Sequence, residues 1–438
     1  MRILFVENRY KTYFFELIAN LLSKKGYEIH WIIQNKEFTP KGNFYKHVIP
    51  YPSNKKKVRS KNASIEAIIK LDRQHNHFHK KKSNYFYYYN DKIEQLVKEI
   101  NPQIVFGEAT TFHELLIILN CKKINILYLN PSSCRYPVGR FSFYRYDTLD
   151  VFKGSGEILP KTKAAELIDQ IIYRKTLPDY MSSIQTKTRK KVNDRLKKVV
   201  SYIRGERFNT PHPIIKYRLE KQKKKNILNW DKSALKKIDN VKEFLVLYPL
   251  QMQPEANIDV WGKKHRDQEE LIKKLSESLP VGATLIVKPN PKSNYELTDE
   301  LTTFVNKKKN IQFLHHNVKM DDIIPKIDLV ITVTGTIAIE CVLMNKPVVT
   351  LVKTINNKSK NCIYMESIEK ELKLIVEKVL NGDFPKLKNH EKIDFINVLN
   401  RSSYKGKISD PYNDPTCTSE ENINDLFCAF DEIIKHNG

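Results

Sequence analysis

The chain predicts an α/β fold built from two parallel-sheet domains, on three observations. Ile3 to Val6 forms an apolar run of strand length, followed by a helix with Phe14, Leu17, Ile18, Leu21 and Leu22 at helical spacing and then a second run, "YEIHWII" (27–33). That β-α-β opening calls for a parallel sheet with helices on both faces. The alternation restarts at "EFLVLYPL" (243–250), and 438 residues exceed what one hydrophobic core usually organises.

In the first half the helical region 63–100 leads to "PQIVFGE" (102–108) as strand and loop, "FHELLIILN" (112–120) as helix and "INILYLN" (124–130) as strand. From about 150 to 235 the sequence turns basic and helix-prone, which reads as the end of the first domain plus a connector. The second series runs through strands 243–250, 283–288, 311–316, 328–333 and 347–352, with helices at 267–279, 336–344 and 366–380. A final helix, 418–436, starts with a capping-box pattern, Thr418 with Glu421, and carries one apolar face. The expected domains are therefore 1–235, 236–415 and a packed terminal helix 416–438.

Lys and Arg number 75 against 50 Asp and Glu, a formal charge of +25, which favours anionic partners. The lysine runs 53–61, 79–83, 189–198 and 220–226 fit either a solvated surface or an anionic membrane face. No zinc-finger, helix-turn-helix or RNA-binding aromatic pattern is present, so nucleic acid is not an expected partner. The six scattered cysteines, without C-x-x-C, read as reduced thiols. With no signal-like N-terminus and no apolar stretch of spanning length, a cytoplasmic location is expected, with the inner face of the cytoplasmic membrane as a docking surface.

In an open parallel sheet ligands bind beyond the carboxyl ends of the strands, and four such loops carry unusual residues. Thr334, Gly335 and Thr336 separate a buried strand from an apolar helix; they suit either a plain N-cap or a seat for phosphate made of hydroxyls and free amides. Glu340, one turn on, suits a ribose hydroxyl or a solvated helix surface. "KPNPKS" places Lys288, Asn290 and Pro291 on a stiffened loop, and "YPLQMQPEAN" crowds Gln253 and Glu255 at a strand exit, where a carboxylate can act as acid or base. Glu108, directly after a strand in "GEATTFHE", is the first choice for a catalytic carboxylate, against an ordinary helix-capping acid.

Downstream, "NPSSCRYPVGRFSFYRYD" mixes Arg135, Arg140 and Arg145 with Tyr144 and other aromatics, a composition suited to gripping carboxylates and stacking on sugars. His75, His77 and His79 lie two apart and His315 adjoins His316, yet no neighbouring acidic or Cys cluster in the sequence completes a metal set, so no metal is expected. G-x-G-x-x-G, the P-loop and G-x-S-x-G are absent, which argues against dinucleotide, P-loop ATPase and serine-hydrolase chemistry.

Taken in order, "GEATTFHELL", "NPSSCRYPVGRFSFY", "YPLQMQPEAN", "VKPNP" and "VTGTIAIECVLMNKPVVTL" resemble the capsule polysaccharide biosynthesis glycosyltransferases, a group similar to bacterial Kdo transferases. The resemblance implies a GT-B arrangement: two Rossmann-like domains facing a cleft, acceptor on the first and nucleotide-sugar donor on the second, with the terminal helix 416–438 crossing back to the first domain. It also implies a CMP-linked acidic sugar such as Kdo as donor, a growing surface polysaccharide or glycolipid as acceptor, and no cofactor or metal. Asn290–Pro291 and Thr334 with Thr336 stand where the family uses a His-Pro pair and a Ser/Thr pair to hold cytidine monophosphate; asparagine in place of histidine removes a protonatable ring. On this reading Glu108 and Glu255 are catalytic, Gln253, Lys288, Gly335 and Glu340 also bind donor, and Arg135, Arg140 and Tyr144 bind the acceptor or the sugar carboxylate. The competing functions are a sugar-nucleotide epimerase of the same two-domain form and a non-catalytic polysaccharide- or membrane-binding scaffold.

Overall fold

The computed structural model describes residues 1–52, 61–78, 80, 82–176, 178, 189–238, 243–412 and 414–437. The lysine-rich stretch 53–60 and His79 of the histidine run lie outside them. The chain forms two compact units, one of residues 1–163, 176–215 and 396–438, the other of 164–175 and 216–395. These limits differ from the expected ones, because the basic connector is shared between the units and the last 43 residues (396–438) all join the first.

The first unit holds seven strands: β1 (Arg2–Val6), β2 (Glu28–Ile33), β3 (Tyr45–Val48), β4 (Ile104–Phe106), β5 (Leu127–Ser133), β6 (Arg140–Arg145) and, from its terminal segment, a short strand Tyr404–Lys405. Their order is β3-β2-β1-β4-β5-β6 and then Tyr404–Lys405. Pairing is parallel from β3 to β5 and antiparallel at β6 and beyond. The second unit is parallel throughout: β7 (Phe244–Pro249), β8 (Ala283–Lys288), β9 (Ile311–Phe313), β10 (Leu329–Thr332), β11 (Val348–Thr350) and β12 (Cys362–Tyr364), ordered β12-β11-β10-β7-β8-β9. Both sheets thus follow the doubly wound order in which the chain reverses direction across the sheet between its first and fourth strands, β1/β4 and β7/β10, where ligand crevices open.

Apolar periodicity accounts for the cores. In the first unit Phe5, Trp31, Phe106 and Phe143 are at most 1% exposed, and Phe430, from the helix Glu420–Asn437, packs on Phe106 at 4.6 Å and Phe143 at 4.9 Å between ring centroids. That helix is capped by Ser419, whose hydroxyl accepts the Asn422 N–H at 3.3 Å, while the Thr418 hydroxyl turns back to the Pro415 carbonyl; the cap expected at Thr418 sits one residue later. In the second unit Val246, Tyr248, Leu285, Ile331 and Val349 form the sheet side of the core, with Leu271, Leu372 and Val376 from the helices Gln268–Ser278 and Ile368–Leu380 against them.

The stretch 130–147 is not a loop. Phe141 and Phe143, fully buried in the aromatic core, alternate along β6 with Arg140 and Ser142, which are buried against Ser403 and Ser402, a strand period inside the segment read as a binding loop.

Candidate functional site

In the second unit the loops at the exits of β7 and β10 are tied together. Gly335 N–H donates to Thr332 Oγ1 at 3.1 Å, Thr334 Oγ1 donates to the Asn257 carbonyl at 3.2 Å, and Gln251 Nε2 reaches Thr332 Oγ1 at 3.4 Å. A Cβ on residue 335 would lie 2.5 Å from Thr332 Oγ1, so only glycine permits this turn. The helix Ile337–Met344 that follows has no side-chain cap at Thr336, and neither the Thr336 nor the Ile337 N–H has a hydrogen-bond partner among the described residues. The plain N-cap alternative is therefore set aside, and two amides are left pointing out of a helix start at a strand exit.

Glu340 is 2% exposed, which corrects the alternative of a solvated helix residue. Its carboxylate pairs with Arg174 at 3.1 Å, and the same guanidinium reaches Asp321 at 2.7 Å. Nothing in the local sequence around Arg174 signalled this role; it follows the helix Lys161–Ile172, far from the strand exits in sequence. Lys288, at the end of β8 and 2% exposed, donates to the Pro289 carbonyl at 3.0 Å; burial first, then the nearby Arg174, pull its ammonium down to about 8. Lys288, Arg174 and the Thr334–Thr336 turn thus belong to one unit, with an ion-paired carboxylate among them.

Gln253 is corrected. It is buried, its amide donates to Asp259 at 2.9 Å and to the Arg266 carbonyl at 2.8 Å, and its Oε1 accepts from Gln268 at 2.9 Å, so it fastens the loop after β7 and offers a donor nothing. Glu255, partly exposed, begins the following turn, its N–H donating to Asp259 at 3.0 Å. Asn290 shapes its own loop, its side-chain oxygen accepting the Lys292 N–H at 2.9 Å, and Pro291 is exposed.

In the first unit Glu108 follows β4 and is held by Lys11, at the start of the helix Lys11–Lys24, and, at 3.0 Å, by the amide of Asn8 in the loop after the neighbouring β1. For Lys11, burial works against its charge, but Glu108 and Tyr10 outweigh it and hold the ammonium above its usual value. The capping acid is Glu114, not Glu108: its carboxylate accepts the Thr110 and Thr111 N–H groups at 3.0 and 2.8 Å and completes a capping box with Thr111. Behind it lies a buried polar layer that the sequence reading missed. His113 Nε2 contacts the Glu7 carbonyl at 2.8 Å, Asn209 donates to Gln34 at 2.9 Å, and Gln34 donates to Glu206 at 3.1 Å. Glu7 accepts the Arg9 and Asn35 N–H groups at 2.5 and 2.9 Å. The clue was the polar run "VENRYK" directly after the first strand.

Arg140 is corrected too. It is 8% exposed and every nitrogen of its guanidinium is engaged inside the first unit: Nε with Ser403 Oγ at 2.8 Å, Nη1 with Glu157 at 2.7 Å, and Nη2 with Ser155 Oγ and the Asn400 and Ser403 carbonyls at 2.9–3.2 Å. It fastens the terminal segment to β6. Arg135, in a left-handed conformation with φ 69°, and Tyr144 are partly exposed beside it.

The expectation that no acid completes the His315–His316 pair is corrected by Asp231, which brings three ligand atoms within 4.8 Å. His315 Nδ1 accepts the Asn317 N–H at 3.2 Å, which leaves that ring's proton on Nε2, facing the Asp231 carboxylate at 3.5 Å. With Nδ1 accepting, the His315 ring is neutral and presents its N–H to the carboxylate. Among the described residues no helix is long and apolar enough to cross a membrane.

With the geometry in hand, comparison with known proteins places the second unit's loops. Residues 158–358 match the family model of the capsule polysaccharide biosynthesis protein. The resemblance read from the motifs holds for that segment, which contains Glu255, Lys288 and the Thr334–Thr336 turn. No curated protein sequence matches the chain. Among solved structures, the chain is similar to the β-Kdo 2,7 transferase KpsC of Thermosulfurimonas dismutans, at 11% identity over 98% of this chain and 100% of that one, TM-score 0.38. It is also similar to a glycosyltransferase of Rickettsia africae, at 13% identity over 100% and 98%, TM-score 0.30. The UDP-GlcNAc 2-epimerase of Methanocaldococcus jannaschii aligns at 15% identity over 91% and 98%, TM-score 0.29. Likenesses this loose leave substrate and activity undecided.

Proposed function

We propose that the protein is a GT-B glycosyltransferase of capsule or related surface polysaccharide assembly, taking its sugar from a nucleotide donor held by the second unit. The observation that carries this is the uncapped helix start after Gly335, with Arg174 and Lys288 in the same unit and inside the segment that matches the capsule polysaccharide family. Free amides and hydroxyls there take the donor's phosphate, and the cations offset the charge that builds on the leaving nucleotide. Thr334, Thr336, Asn290 and Pro291 stand where the family resemblance places a cytidine monophosphate, so a CMP-linked acidic sugar such as Kdo is the proposed donor. Glu108 is the proposed catalytic carboxylate and Glu255 a second polar group of the donor site.

Titration with CMP, UDP, GDP and dTDP by calorimetry tests the donor. CMP binding is expected, and binding of UDP alone would end the acidic-sugar reading. An epimer formed from a UDP-sugar without acceptor would make the protein an epimerase instead.

The acceptor is proposed to be a glycan or glycolipid at the inner face of the cytoplasmic membrane. What supports the location is the helix Arg189–Ile203, whose Asp194 and Ser201 face inward while Val192, Leu196, Val199 and Ile203 are 47–73% exposed, flanked by exposed Arg195 and Arg204. An apolar stripe beside cations suits an anionic bilayer. Sedimentation with anionic vesicles at physiological salt is expected and should fall sharply for Leu196→Glu; equal sedimentation of that variant would overturn the proposal.

A further inference from the structure

The layer behind β1 contains two arginines with buried guanidinium nitrogens that none of its carboxylates pairs. Arg9 follows β1 in a left-handed conformation, φ 50°, and one of its Nη groups donates to the Asn209 carbonyl at 2.5 Å. Its Nε is buried with no partner, and so is Nη2 of Arg73, which begins the short helix Arg73–Asn76. Among the described residues no carboxylate comes within ion-pair distance of either arginine, although four acids lie in the layer. Each acid is already taken. Glu7 accepts the Arg9 and Asn35 N–H groups, Asp72 those of Gln74 and His75, Glu114 those of Thr110 and Thr111, and Glu206 those of Phe208 and Asn209.

The Asn209 carbonyl that accepts from Arg9 also accepts from the amide of Gln74, the residue after Arg73, at 2.7 Å, which brings the two arginines into one region; burial first, and the charge of Arg9 second, bring the Arg73 guanidinium down to about 10. A desolvated, unpaired guanidinium costs stability that a purely structural residue would not be kept for. Both side chains remain partly exposed, and they sit at the carboxyl end of β1, at the reversal point of the first sheet, where ligands of such sheets bind.

We propose that Arg9 and Arg73 form an anion-binding site in the first unit that takes an acidic group, carboxylate or phosphate, of the acceptor. The assignment of that anion to the acceptor rests on the glycosyltransferase reading; the anion site itself does not. It replaces Arg140, whose donors are spent on the terminal segment, as the arginine recognising an acid.

The test is calorimetric, on the full chain without nucleotide. Methyl glucuronide is compared with methyl glucoside, and glycerol 3-phosphate with glycerol, so the two arms separate a sugar carboxylate from a glycolipid phosphate. One of the two anions is expected to bind at least about tenfold more tightly than its neutral counterpart, and Arg73→Gln and Arg9→Gln are each expected to lose about tenfold or more of that affinity. CMP affinity is measured in the same variants and is expected to stay unchanged, so failure of the donor reading would show separately. Because the Arg73 guanidinium makes no ion pair among the described residues, Arg73→Gln should leave the ligand-free melting temperature equal or higher. Arg73→Lys, which keeps the charge but loses the planar fork, should retain part of the binding. The proposal is overturned if neither anion is preferred to its neutral counterpart, if Arg73→Gln binds as the parent does, or if Arg73→Gln lowers the melting temperature of the ligand-free protein by several degrees.

Discussion

Lys11 donates to the carboxylate of Glu108, joining residues 97 positions apart because β1 and β4 lie side by side in the first sheet. The pair occupies the reversal point of that sheet, and the Asn8 amide steadies its other oxygen. A carboxylate so held has a fixed direction, which a nucleophile or base requires.

Glu108→Gln is therefore expected to lower turnover by about 10²–10⁴-fold with CMP affinity unchanged, since the nucleotide is proposed to sit in the other unit. Lys11→Met should cost less, because it removes the positioning group and leaves the carboxylate. Dialysis against EDTA should leave turnover intact if amides and cations carry the phosphate. Steady-state kinetics beside calorimetry decides, and full activity in Glu108→Gln would remove it from the mechanism.

Gly335→Ala sets a methyl group against Thr332 Oγ1 and 3.4 Å from Gln251 Nε2, forcing the turn to open. Overpacking of this kind costs about 1–3 kcal/mol. The expected result is a lower melting temperature together with nucleotide affinity reduced about tenfold or more. A nucleotide isotherm identical to the parent's would show that the turn does not hold phosphate.

Lys288 gives a pH signature. Its ammonium titrates near 8 in the folded protein and near its ordinary value of 10.5 when unfolded. Between those two values the unfolded chain binds the extra proton, so this residue makes folding more favourable as pH rises through that window. Nucleotide phosphate works in the opposite sense by stabilising the charged form. Affinity should fall as pH rises from 7 to 9, with proton uptake detectable in buffers of different ionisation enthalpy, and Lys288→Met should flatten the profile. A parent profile already flat would place the phosphate elsewhere.

Arg140→Met should destabilise the protein by about 3–5 kcal/mol, the range for removing one partner of a buried, hydrogen-bonded charge. Urea unfolding measures it. Binding of sugar acids should be unchanged in the variant that remains folded, whereas a specific loss would return Arg140 to the site.

Much of the architecture was legible because apolar runs of strand length alternate with amphipathic helices, and the two loops at the reversal point of the second sheet stood out by the polar interruption Thr334–Thr336 and by the polar residues of "YPLQMQPEAN". Other features depend on contacts distant in sequence. Arg140 reads as a binding residue until Ser403, 263 positions away, is placed beside it. Gln253 reads as a donor-binding residue until Gln268 and Asp259 close around it. β3 was missed because "YKHV" is a mostly exposed edge strand with no apolar alternation to detect. The β6 strand could have been found, since Phe141 and Phe143 carry the period of two, but the density of arginines and aromatics drew attention to chemistry instead of pleat. Lys11 and Asn8 needed the strand order, which a single sequence does not state.

The return of residues 396–438 to the first unit has a consequence for biosynthesis. Phe5, Phe106 and Phe143 leave the ribosome long before Phe430, the ring that covers them, has been made. During translation the nascent first sheet carries an uncovered aromatic face, a surface for a chaperone to shield and a cause of aggregation when the message is cut short. Moving the coding segment for 396–438 to the front, as a circular permutation, would let that lobe mature as it emerges.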